Sequence, residues 1–214
     1  MYPLLCYPAP TVACVRGTTH ATGERQVSSD HSQQALPPGV LIHPAADRRL
    51  AAEHWLLSTL PAAGRERARV EWREQGLAML PLGTLFSAVR LPIRLITAIT
   101  GPLKLHEIDA FLTDALEGGP VICDLNGIRY YALVPASVPR TWRDAAHEWR
   151  DADADVLGRD TLLGVPRLDA TEATPARTSY WSVPMESMGM LCAPLKVARL
   201  IAAAQDQMAR DEIG

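Results

Sequence analysis

The spacing of hydrophobic residues along this 214-residue chain changes several times, and each change marks an expected element. After Pro44, AADRRLAAEHWLLSTLP places Leu50, His54, Leu57 and Pro61 three or four residues apart. That spacing predicts a helix with Asp47 as a candidate N-cap and Pro61 as its end. A second helix is expected from about Gly64 to Gly76, with Glu66, Arg67, Arg69, Glu71, Arg73 and Glu74 on wet faces. Val70 and Trp72 then fall on or near the buried face, and Gly76 sits where a C-cap belongs. The period next drops to near two. LAMLPLG and TLFSAVRLP, divided at Gly83, predict consecutive strands of one sheet.

PIRLITAIT and LKLHEIDAFLTDALEGG predict two more helices, the second ending at Gly118-Gly119. In PVICDLNGIRYYALVP, strands are expected at Val121 to Cys123 and at Ile128 to Val134. Asn126-Gly127 joins them, the dipeptide that supplies positive φ to a tight two-residue turn. RTWRDAAHEWRDADADVLGRD predicts a polar helix running into an acidic loop. TLLGVP and TSYWSVP predict a further strand pair, and a last helix is expected from about Pro194 to Ala209. The order implies an α+β domain, a mostly antiparallel sheet with flanking helices. Residues 1–43, rich in Thr, Ser, Gln, Gly and Pro without a sustained period, are expected to form a mobile tail, leaving 44–214 as a single domain.

Composition narrows the function classes. A net charge of -3 argues against coating nucleic acid or an anionic membrane by charge alone, and leaves room for local patches. Cys6, Cys14, Cys123 and Cys192 form no CxxC and no Cys/His cluster, which suggests neither a zinc site nor a disulfide framework and fits a reducing cytoplasm. The opening MYPLLCYPAPTVACV has no basic n-region and is interrupted by prolines, unlike a signal peptide. The apolar run from Leu91 to Leu105 is broken by Arg94, Gly101 and Pro102, and falls short of the roughly 20 residues a membrane span needs. A cytoplasmic protein with no membrane partner is therefore expected.

Candidate chemistry is sparse. Asp151, Asp153 and Asp155 alternate, but Val156 and Leu162 stand where an EF-hand loop needs Gly and Glu. No rigid strand is expected to aim these acids at magnesium, so they read as a solvated loop. Arg90, Arg94 and Lys104 fall within 77–106, a stretch without an acidic residue. With Arg129 on the hairpin they suit phosphate oxygens, unless the four carboxylates of 107–117 pair with them. Tyr130 and Tyr131 point to opposite faces of one strand, so one is placed to stack on a base and either is suited to packing under a helix. A helix-turn-helix reading of PIRLITAITGPLKLHEIDAFL is opposed by Glu107 and Asp109, which repel phosphate. The chain has no nucleophile elbow, Walker loop, HExxH motif or dinucleotide fingerprint.

EQGLAMLPLGTLFSAVRLP resembles the start of the bifunctional DNA primase/polymerase (prim-pol) domain of the archaeo-eukaryotic primase superfamily. PVICDLNGIRYYALVP is similar to the hairpin on which that family carries a histidine for the incoming nucleotide. LLGVPRLDATEATPARTSYWSVP resembles its Val-Pro strand, long loop and aromatic strand. The resemblance covers about residues 48 to 205 and implies a primase/polymerase-like fold with an RRM-related core. It also implies metal-binding acids on the second strand, where this chain has Ser87, Ala88 and Arg90. The histidine position falls around Arg129 and Tyr130, and Asp124 is the one acid within the matched strands.

The resulting expectation is a non-catalytic primase/polymerase-like protein that binds nucleic acid or nucleotide, in replication or its regulation on a mobile element. Its contacts would be Arg90, Arg94, Arg129 and Tyr130, with no metal ligand and no cofactor assigned. One alternative is an active DNA primase/polymerase that recruits Asp124 and one of the DADAD acids to hold Mg²⁺ or Mn²⁺. Another is an interaction module or regulator of a replication protein, with Met185, Met188 and Met190 on the partner surface.

Overall fold

A computed structural model describes residues 44–213, so the expected tail over 1–43 lies outside the described residues. Helix α1 spans Pro44–Leu57 and α2 Ala62–Gln75. Asp47 lies inside the first turn of α1, and α1 ends before Pro61, whose extended backbone instead forms the N-cap of α2. Proline suits that place, because a helix start has no use for its missing N–H. Gly76 closes α2 in the left-handed conformation at φ 71°, as expected. The buried face of α2 is carried by Ala68 and Trp72, one turn apart, whereas Val70 is exposed.

Strand β1, Leu77–Pro81, and strand β2, Phe86–Pro92, do not share a sheet. Gly83 separates them with φ 84°, and its N–H donates to the Phe86 carbonyl oxygen at 2.7 Å. That tight turn lets β1 pair antiparallel with β6, Leu162–Pro166, as a two-stranded ribbon. Strand β2 enters a five-stranded antiparallel sheet of order β5-β2-β4-β3-β7, with β3 at Val121–Asp124, β4 at Arg129–Pro135, β5 at Asp155–Leu157 and β7 at Ser179–Val183. The expected pair β6 and β7 is therefore split between the two sheets. The hairpin β3–β4 forms, but Asp124 faces Arg129 in register, so the loop is four residues long and the positive φ falls on Ile128 at 43°. An Asp124 carboxylate oxygen accepts the Asn126 N–H at 3.0 Å, and this local turn replaces the two-residue one.

Among the described residues the sheet is covered on both faces. One face packs Val89, Leu91, Tyr130, Ala132 and Tyr180 beneath α3 (Ile93–Thr100), α4 (Leu105–Ala115) and α7 (Pro194–Ile213). The other packs Phe86, Ala88, Ile122, Leu133 and Trp181 against α1, α2 and the ribbon. Double coverage explains why β2 reads as almost uniformly apolar, with Phe86, Ser87, Ala88, Val89 and Leu91 all buried. Between β4 and β5 lie two short helices, α5 (Val138–Thr141) and α6 (Arg143–Glu148), and a 3-10 turn, Trp149–Ala152. Cys123 and Cys192 are free thiols in the core. No helix among the described residues is long and apolar enough to cross a membrane.

Candidate functional site

The acidic run is solvated at Asp151 and Asp153, which are exposed, but not at Asp155. Asp155 begins β5 directly opposite Arg90 of β2, and the two side chains form an ion pair. Asp153, in the left-handed turn just before, pairs with Arg94 at the start of α3. The carboxylates that neutralise these arginines thus come from the DADAD run and not from 107–117. Two of the three arginines expected to meet phosphate, Arg90 and Arg94, are therefore already ion-paired, beside β5.

Tyr130 also departs from expectation. Its side chain is fully buried on the face under α3, α4 and α7, so it offers no ring surface to a base. Its hydroxyl has no hydrogen-bond partner among the described residues, and burial pushes its pKa well above the usual phenol range. The thiol of neighbouring Cys123 is pushed up by burial to about 11. Nearby, Asp109 of α4 accepts hydrogen bonds from the hydroxyls of Ser182 and of Tyr180, the latter at 3.0 Å. Burial raises the Asp109 pKa, and those bonds together with His106 oppose the rise. These groups tie α4 to β7 inside the core. Met185 is buried in the opposite core and Met188 is exposed, so the two do not share a surface.

The other tyrosine of the pair is half-buried and lines a groove. Tyr131 follows Tyr130 on β4, so the strand alternation turns it to the opposite face, toward the ribbon. There the five-stranded sheet and the β1–β6 ribbon enclose a groove of about 310 Å³. Tyr131, Ile122 and Leu157 contribute from the sheet, and Leu77, Met79 and Leu163 from the ribbon. Polar groups stand along the same groove, namely Asp124, Asn126, Thr178 and Ser179. Arg129 is exposed and lies opposite Asp124, so its side chain falls on this face of the sheet. Asp124 and Arg129 from the sequence reading thus share the groove's face of the sheet; Arg90, the register partner of Tyr131, lies on that face too but is ion-paired with Asp155, and Arg94 is held by Asp153. Sequence reasoning missed the ribbon wall, because the β1–β6 pairing is long-range and leaves no local pattern. Met79 and Leu162, apolar yet exposed on their strands, mark the ribbon wall only once the structure is known.

The carboxylates do not assemble into a metal centre. In the strand order β5-β2-β4-β3, Asp155 and Asp124 are three strands apart, roughly 14 Å at about 4.8 Å per strand. Ions in a two-metal site sit about 4 Å apart, too close for both acids to reach. No group of three His, Cys, Asp or Glu side chains suited to a metal ion occurs among the described residues. The groove can instead hold a flat, partly apolar group. Its volume lies near the lower end of small-molecule sites, at about 300 Å³, with a few polar groups to fix orientation. Comparison of the chain with family models, curated proteins and solved structures returns no match.

Proposed function

We propose that this protein is a non-catalytic, primase/polymerase-like binder of nucleic acid or nucleotide that accepts a nucleobase in the groove between sheet and ribbon. The observation that carries the reading is Tyr131, an aromatic ring in an open groove whose other walls are aliphatic and whose margin is polar. Stacking of a base on such a ring contributes about 1–3 kcal/mol and tolerates any base. Asp124 spends one carboxylate oxygen on the Asn126 N–H, leaving the other to accept from a base amino group. The Asn126 amide adds a donor and an acceptor, and Arg129 is suited to the attached phosphate. The non-catalytic part is supported by the separation of Asp124 from Asp155 and by the arginines that occupy Asp153 and Asp155.

Calorimetric titration with nucleoside monophosphates and short single strands, with magnesium and with chelator, tests the reading. Binding is expected under both conditions, and Tyr131→Ala is expected to weaken it by about tenfold, the lower part of the stacking range. Wild-type affinity retained in Tyr131→Ala would place the ligand elsewhere.

A further inference from the structure

The groove does not stand alone. A second hollow, of about 340 Å³, shares Leu77, Thr178 and Ser179 with it. A third, of about 350 Å³, shares Trp72, Arg73, Arg167 and Asp169 with the second. Three adjoining hollows therefore lead from the Tyr131 groove, past the end of α2, to the face between α1 and α2. Their character changes along the way. The groove itself is lined by aliphatic side chains and Tyr131, whereas the two further hollows are lined by Arg49, Arg69, Arg73, Arg167 and Arg177.

Five arginines face three carboxylates there, Glu53, Glu74 and Asp169, in a protein whose net charge is -3. Two of the five are engaged. Arg69 contacts Glu53 at 3.6 Å and pairs with Glu66, while Arg167 grips Asp169 through two nitrogens at 3.1 and 2.7 Å. Arg49 and Arg73 have no carboxylate within 4.0 Å among the described residues. Among the described residues the Arg177 guanidinium donates only to the Glu172 carbonyl oxygen, at 3.3 Å. These three guanidinium groups are exposed, and they sit beside one another's hollows from α1, α2 and the loop between β6 and β7. Planar forks held at separate points along a furrow match a row of phosphates better than a single anion.

We propose that this furrow is a phosphodiester track, which receives the backbone of a single strand whose base occupies the Tyr131 groove. The inference rests on the nucleobase reading of that groove and specifies its ligand as a strand of several nucleotides. A free nucleotide fills the groove and leaves the track empty. A strand continues past Thr178 and Ser179, and its phosphates meet Arg177 and Arg73 and then Arg49.

The test compares the full-length wild type with a double variant, Arg73→Gln with Arg177→Gln, using thymidine monophosphate and a labelled oligothymidylate of about eight nucleotides, within the usual site size for single strands. The strand is expected to bind at least tenfold more tightly than the monophosphate at low salt. In the double variant the plot of log affinity against log salt is expected to be shallower by about 1.4, or 0.7 for each single-strand phosphate that no longer meets a guanidinium. Monophosphate affinity is expected to be unchanged, and replacement of both arginines by lysine is expected to restore the slope. Equal affinity for strand and monophosphate, or an unaltered slope, overturns the track while leaving nucleotide binding at the groove intact. Failure of both ligands to bind overturns the track and the groove reading together.

Discussion

Tyr130 and Tyr131 are adjacent on β4 and have opposite environments. Tyr130 is sealed in the core with an unpartnered hydroxyl, and a buried polar group in that state costs about 1–3 kcal/mol. Removing the hydroxyl while keeping the ring is therefore expected to help the fold. Tyr130→Phe should raise the unfolding free energy by about 1 kcal/mol in a denaturant titration, with nucleotide affinity unchanged. Destabilisation would show that the hydroxyl has a partner, with the Cys123 thiol the first to examine. That the two rings diverge is legible in the sequence, since strand alternation requires it. Which ring is enclosed is not, because that depends on which helices cover which face. The same limit applies to Arg90 and Arg94. Their charge was evident, but their partners, Asp155 and Asp153, lie more than fifty residues away, and β5 is only three residues long.

At the level of elements, Gly83 decides how the chain is divided between ribbon and sheet. A Cβ at this position would lie 2.6 Å from the Arg159 backbone nitrogen and 2.7 Å from its Cα, and φ is 84°. Either feature alone disfavours a side chain, and backbone atoms cannot give way as a flexible side chain does. Gly83→Ala should destabilise the protein by about 3 kcal/mol, as read from the denaturation midpoint at unchanged m-value. A loss below about 0.5 kcal/mol, the level of an ordinary surface substitution, would mean that the turn relaxes freely. Most helices and strands were legible from periodicity, including the left-handed Gly76 cap. Their pairing was less so. Adjacent β1 and β2 read as neighbours because short connections usually join paired strands. The close approach of Gly83 to Arg159 overrides that tendency, and nothing within LAMLPLGTLFSAVRLP records it.

At the scale of the whole molecule, the five-stranded sheet has one face closed by α3, α4 and α7 and the other covered by α1, α2 and the ribbon, which leave Tyr131 only half-buried. The incomplete cover creates the Tyr131 groove, and the arginine furrow lies where α1, α2 and the β6–β7 loop meet beside it. The proposed binding thereby falls on one side of the sheet. The most direct test follows the backbone amide resonances of the isotopically labelled protein while an oligothymidylate is added. The largest shifts are expected at Ile122, Tyr131, Leu157, Leu163 and Gly164, extending to Thr178 and Ser179, with the buried faces of α3, α4 and α7 unaffected. Shifts concentrated on α3, α4 and α7, or none at saturating strand, would contradict the assignment.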